Sequence, residues 1–326
     1  GSVELIFTFD GSALAGKTVV AFERMYYEDK EVGSHTDIED EDQSIHFPTI
    51  GTTAKDSSTK DHIANADKVT IIDTVSYKNL IPGQKYTLKG VLMDKETGKE
   101  LLIGEKKVTA EKEFTPKEAD GSVDLEYTFD ASAMAGKQAV VYEELYTSDK
   151  LIGEHKDIND EGQTVLCTWL SSNPSDGVTG KHVGTVSEKA TVIDVVSYKG
   201  LLPGKEYTIK GTLMNKATGE PVKNSEGKDI TAEKTFTPEN EEGSVELVYE
   251  LDSTLLAGQT AVVFEDLLYN GVEVGSHADI QDEGQSVRYP DLGTQAKDKN
   301  TGLQEGIRKK QSVIADTVAY QNLIPG

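Results

Sequence analysis

"TIIDTVSYKNLIPGQKYTLKGVLMDKETGK", residues 70–99, returns as "TVIDVVSYKGLLPGKEYTIKGTLMNKATGE" at 191–220 and begins a third time as "VIADTVAYQNLIPG" at 313–326. Asp73, Asp194 and Asp316 are thereby spaced by 121 and 122 residues. "VVAFERM", "VVYEELY" and "VVFEDLL" repeat Glu23, Glu143 and Glu265 at 120 and 122. A repeat of this length is a whole domain, not a solenoid unit, so the chain reads as a string of similar domains. The expected division is a C-terminal half-domain at 1–49, complete domains at 50–169 and 170–291, and an N-terminal half-domain at 292–326.

Within each repeat the signals are those of strands. "KYTLKGVLM" alternates, Pro-Gly turns fall at 82–83 and 203–204, and "DKETGK" has hairpin chemistry. "GSALAGK" at 11–17 is one helical turn at most. Short strands with regular turns over about 120 residues predict an all-β chain of immunoglobulin-like, pilin-like β-sandwiches, closely joined into a rod.

Composition narrows the function. The chain of 326 residues has a formal charge of −24, which opposes binding to nucleic acid or an anionic membrane surface. No apolar run reaches the length of a membrane span, so no membrane insertion is expected. The single cysteine, Cys167, excludes an internal disulfide and a cysteine metal site, and reads as a core filler.

Polar residues fall where alternation points inward. Val69, Ile71, Asp73, Val75 and Tyr77 share one face, and so do Ala139, Val141, Glu143 and Leu145. Gln163 goes with Val165 and Cys167, and Thr52 with Ile50 and Ala54, leaving Thr53 outward. Such groups are costly to bury without partners. A histidine precedes each glutamine by eight residues in "GSHTDIEDEDQSI", "GEHKDINDEGQTV" and "GSHADIQDEGQSV": His35 and Gln43, His155 and Gln163, His277 and Gln285. Nine residues beyond the glutamine come Thr52, Ser172 and Thr294.

A hydroxyl, an imidazole, two carboxyls and a carboxamide form a reactive set. Histidine is the usual base for a hydroxyl, and a carboxyl can hold its tautomer. Two carboxyls in a dry site keep one proton between them, and the acid so formed could polarise the glutamine. Attack on the carboxamide would release ammonia and leave an ester, with a rigid core supplying proximity. The rival reading makes Asp73 and Glu143 ordinary buried groups paired with backbone.

The set "GTxAxD", "DTVxYxxLxPG", "V[VA][FY]E" and "HxDIxDxxQ", including Val20-Ala21-Phe22-Glu23 itself, resembles the VaFE-repeat, or Thr–Gln ester-bond, domains of Gram-positive surface adhesins over essentially the whole chain. That resemblance implies a self-formed ester from a first-strand Thr to a last-strand Gln, assisted by His, Asp and Glu. The first complete domain would join Thr52 to Gln163 with His155, Asp73 and Glu143. The second would use Ser172, a departure, with Gln285, His277, Asp194 and Glu265. In the half-domains Gln43, His35 and Glu23 have no upstream Thr, and Thr294 with Asp316 has no downstream Gln, so both ends are expected to stay unlinked. The family role implied is a cell-wall-anchored, extracellular stalk whose partners are neighbouring repeats. Any host ligand would bind through a region outside this stretch. No cofactor and no metal are called for, and the only catalysis is a single intramolecular turnover.

Other readings stay open. A Lys–Asn isopeptide bond could start from Lys55 or Lys297, although Ser175 stands at that position in the second domain. A ligand-binding module and a Ser/Thr–His–Asp hydrolase are further classes. His46, His62 and His182 lie outside the pattern, and Asp157 and Asp160 read as a solvated turn in preference to a calcium loop.

Overall fold

The computed structural model describes residues 1–325; Gly326, the last residue of the fourth expected segment, lies outside them. The chain divides into two compact units, Gly1–Cys167 and Thr168–Gly326. Both are built of strands, and the helical elements are single 3₁₀ turns such as Ser12–Leu14, inside "GSALAGK".

In the first unit a complete β-sandwich spans 49–167. One sheet has the strand order Gly121–Asp130, Lys68–Lys78, Thr49–Asp56. The facing sheet is led by Thr109–Phe114, Tyr86–Asp94, Gln138–Thr147 and Thr164–Cys167, with Lys150–His155 also paired to Gln138–Thr147. Alternation decides what lies between them: Val69, Ile71 and Val75 from one sheet pack with Leu88, Leu92, Val141 and Leu145 from the other, all fully buried. Cys167 belongs to this core, and burial pushes its thiol up to about 12.

The hairpin at "DKETGK" pairs Met93 with Glu100 and Asp94 with Lys99, with Gly98 at φ 64° making the turn. The last strand, Thr164–Cys167, also runs parallel to Ile63–Ala64. His62 holds this junction through Nδ1, 3.1 Å from the Thr164 carbonyl, a structural place for a histidine outside the repeated pattern. Ahead of the sandwich, Lys17–Val20 pairs with Ser44–Phe47 and Glu23–Tyr27 with Lys30–His35.

The second unit repeats the plan at 169–289. Trp169–Asp176, Ala190–Lys199 and Gly243–Leu251 form one sheet; Thr231–Phe236, Tyr207–Asn215, Thr260–Tyr269 and Val272–His277 lead the other. His182 Nδ1 lies 3.0 Å from the Ser286 carbonyl, as His62 does in its domain. Where the first domain has Cys167 and Ala64, the second has Tyr289 packed over Gly184, so a large residue is matched by a vanished side chain. The final hairpin pairs Asp291–Asp298 with Ile314–Gln321.

Candidate crosslinking site

Two strands of one sheet supply the hydroxyl and its neighbour. Thr52 pairs with Val75 and Ala54 with Asp73, so Thr52 and Asp73 are diagonal neighbours on the inner face. The Thr52 hydroxyl donates to Asp73 Oδ1 at 2.8 Å. The facing sheet supplies the rest. Glu143 pairs with His155 on one side and with Gly90 on the other, ahead of a register shift between Leu145 and Tyr146. Gln163 closes the 3₁₀ turn Glu161–Gln163, immediately before the last strand. Its amide nitrogen donates to Thr52 Oγ1 at 2.9 Å and to Glu143 Oε2 at 2.7 Å. Asp73, Glu143 and Gln163 have no solvent exposure at all. Thr52, Asp73, Glu143 and Gln163 are thus one hydrogen-bonded cluster across the core, and the partners are side chains, not the backbone groups of the rival reading.

Burial pushes the carboxyls of Asp73 and Glu143 above the ordinary carboxylate range; the charge of Asp73 raises Glu143 further, whereas the contacts of Asp73 with Glu143 and Thr52 offset part of its own rise. Asp73 Oδ2 and Glu143 Oε1 are buried with no hydrogen-bond donor among the described residues. A proton retained by the pair would supply the donor these oxygens lack.

The second domain assembles the same residues less tightly. Asp194, Glu265 and Gln285 are fully buried and Ser172 nearly so. Gln285 Nε2 donates to Glu265 Oε2 at 3.0 Å, but reaches Ser172 Oγ only at 3.4 Å. It is also held by the carbonyls of Val263 at 2.8 Å and His277 at 3.1 Å. Asp194 Oδ1 accepts from the Asn173 amide at 3.0 Å. Desolvation again raises both acids of the Asp194–Glu265 pair.

Asp160 is not the solvated turn residue expected from sequence. Its Oδ1 accepts from the Gly162 amide at 2.7 Å, capping the turn that carries Gln163. Its Oδ2 lies 3.0 Å from His155 Nε2. Asp282 does the same for His277 at 3.3 Å and Asp40 for His35 at 2.8 Å. The bond assigns the proton to Nε2 and leaves Nδ1 as the open nitrogen; Nδ1 of His155 and of His277 is buried without a partner. His277 Nδ1 lies 3.7 Å from Glu265 Oε2. The fixed five-residue step from His to Asp was the signal available in sequence.

Tyrosines were also missed. The Tyr127 hydroxyl occupies the space 1.7 Å from where a Gly90 Cβ would stand, beside Glu143, and Tyr249 sits identically over Gly211. Both hydroxyls are buried, and desolvation, then the two carboxyls, raise their pKa. The first copy has Phe7 at this position.

In the first segment Gln43 Nε2 is 2.5 Å from Glu23 Oε2, and Glu23 pairs with His35. In the last, Thr294 pairs with Val318 and Ala296 with Asp316, and both Thr294 and Asp316 are exposed. Lys55 and Lys297 are exposed too, on the face opposite the hydroxyls.

The family model of the T-Q ester bond containing domain matches residues 1–47, 48–167, 169–289 and 290–326. No curated protein matches the chain. Among solved structures, it is similar to a bacterial adhesin from Mobiluncus mulieris containing intramolecular disulfide, isopeptide and ester bond cross-links, at 14% identity over 84% of this chain and 93% of that one, with a TM-score of 0.33. The C-terminal domain of the Streptococcus agalactiae AgI/II polypeptide BspA is similar at 9% identity over 70% and 97%, with a TM-score of 0.31. A glycosyl hydrolase family 2 member from Bacteroides cellulosilyticus gives 11%, 66% and 28%, with a TM-score of 0.29. With every segment of the repeat matched, the chain belongs to the family of T-Q ester bond containing domains.

Proposed function

We propose that each complete domain closes a side-chain ester, Thr52 to Gln163 and Ser172 to Gln285, and that the chain is a stalk segment of a bacterial surface adhesin. The observation that carries this reading is the Thr52 hydroxyl held between Asp73 at 2.8 Å and the Gln163 carboxamide at 2.9 Å in a buried site.

Asp73 takes the Thr52 proton as Oγ1 attacks Cδ of Gln163. Glu143, whose Oε2 lies 2.7 Å from the amide nitrogen, gives its proton to that nitrogen as the C–N bond breaks. Proton exchange within the carboxyl pair returns the proton from Asp73 to Glu143. One O–H and one C–N bond are lost, a C–O bond and ammonia are formed, and the pair ends as it began. His155, positioned by Asp160 with its open Nδ1 facing inward, provides a second place for a proton during the reaction. The carboxyl in direct contact with the hydroxyl makes Asp73, more than His155, the first base. Reaction consumes the nucleophile, so it happens once per domain and leaves no turnover.

The stalk role rests on family membership, on tandem repeats, and on linkage of the first strand to the turn before the last. Tension entering a domain at one end can leave at the other through covalent bonds. An extracellular location follows from that role, and any adhesive ligand belongs to another region.

Peptide mapping by mass spectrometry of the intact chain, Thr52→Ala and Ser172→Ala tests the reading. Crosslinked peptides joining 52 to 163 and 172 to 285, each lighter by one ammonia and opened by hydroxylamine, are expected. A crosslink that survives hydroxylamine, or none at all, would refute it.

A further inference from the structure

Asn79 and Asn322 occupy the same position of the repeat, directly after the strands Lys68–Lys78 and Ile314–Gln321, and both take the left-handed conformation, at φ 60° and 57°. Each reaches out of its own repeat into the one before it. Asn79 Nδ2 donates to the Lys17 carbonyl at 2.7 Å, while its Oδ1 accepts from Thr18 Oγ1 at 3.0 Å and lies 3.0 Å from His46 Nδ1. Its own backbone is anchored by an N–H to Asp120 Oδ1 at 2.9 Å. Asn322 Nδ2 donates to the carbonyls of Gln259 at 2.5 Å and Tyr289 at 3.3 Å, and its Oδ1 accepts from Thr260 Oγ1 at 3.2 Å.

The two seats are built alike. Lys17 and Gln259, and Thr18 and Thr260, are equivalent residues at the start of the strands Lys17–Val20 and Thr260–Tyr269, Gln259 standing just before the latter. Just before each, a glycine at positive φ, Gly16 or Gly258, lies against the first strand residue of the next repeat. A Cβ there would be 3.6 Å from Thr49 Cγ2 or Asp291 Cβ. At each seat backbone carbonyl oxygen and one hydroxyl therefore meet an amide that offers a donor and an acceptor together. In the remaining copy of these two sequence positions both members differ, as Gly200 and Gln138.

We propose that Asn79 and Asn322 are clasps between successive repeats, and that the partner surface is the backbone edge and threonine at 17–18 and 259–260 of the preceding repeat. The clasp is separate from the crosslink: it uses none of its residues and orients one repeat on the next.

Hydrogen exchange of the full-length chain tests it, with Asn79→Gly as the main variant because glycine keeps the positive φ. Losing the amide's bonds should lower protection at 17–20 and 44–47 by about tenfold, while Tyr86–Asp94 keeps its protection. Asn322→Gly should do the same at 259–262. Unchanged protection at both edges would overturn the proposal. If Asn79→Gly instead loosens Tyr86–Asp94, Thr18→Val decides, since it removes one bond of the clasp and leaves position 79 alone. A local loss at 17–20 then supports the clasp, and no loss there overturns it.

Discussion

At the scale of single residues, one difference between the two domains is a methyl group. A β-branched Thr has few side-chain rotamers, whereas a Ser hydroxyl swings more freely. Ser172 sits 3.4 Å from the Gln285 amide where Thr52 sits 2.9 Å from Gln163. Ser172→Thr should raise the crosslinked fraction of the second domain, read by peptide mapping; an unchanged fraction would assign the looseness to the Asn173 amide bound to Asp194. Asp160 acts through His155. Asp160→Asn should slow crosslinking by less than the roughly 10²–10⁴-fold that loss of a principal acid–base group costs, measured as the time course of ammonia loss, and a wild-type rate would remove the His–Asp pair from the chemistry.

The carboxyl pair makes a prediction about pH. Burial raises its proton affinity, so the folded domain holds more protons than the unfolded one between the ordinary carboxylate range and the raised value. Stability therefore falls as pH rises through that window, by up to about 1.4 kcal/mol per pH unit for one proton. In ester-free Thr52→Ala the urea midpoint should drop between roughly pH 5 and 8, and the drop should be shallower when Glu143→Gln is added. Equal slopes would mean that no proton is shared.

At the scale of elements, the sheets are fitted to the site. Gly90 and Gly211 lie opposite Glu143 and Glu265, and their missing side chains admit the hydroxyls of Tyr127 and Tyr249. Gly90→Ala places a methyl where a rigid ring ends, an overpacking that should cost about 1–3 kcal/mol in chemical denaturation; Tyr127→Phe should relieve part of it. No relief would show that the clash lies with Leu125, whose Cδ1 is 2.9 Å from the same point. Strand alternation in sequence was enough to turn Asp73, Glu143 and Gln163 inward, because period two leaves a strand residue only two faces. It could not reveal Tyr127 over Gly90, since that meeting joins strands from opposite sheets.

At the scale of the whole molecule, an ester from Thr52 to Gln163 closes a loop across a separation of 111 residues. Lost chain entropy in the unfolded state makes that closure worth about 4–5 kcal/mol. Thr52→Ala should lower the stability of the first domain by about that amount in urea and leave the second domain's transition in place. A parallel loss in both domains would argue for coupling beyond the crosslink.

The repeat, the strand periodicity, the acidic surface and the recurring hydroxyl, carboxyl, imidazole and carboxamide are properties of the one-dimensional chain, and they determined the all-β domains and the reactive residue types. Which atoms meet was decided only in three dimensions. Asp73 contacts the hydroxyl, Glu143 faces the departing nitrogen, and Asp160 holds the histidine, because two sheets bring residues 111 apart in sequence to hydrogen-bond distance. Spacing along a chain carries no information about distance across a core; packing does.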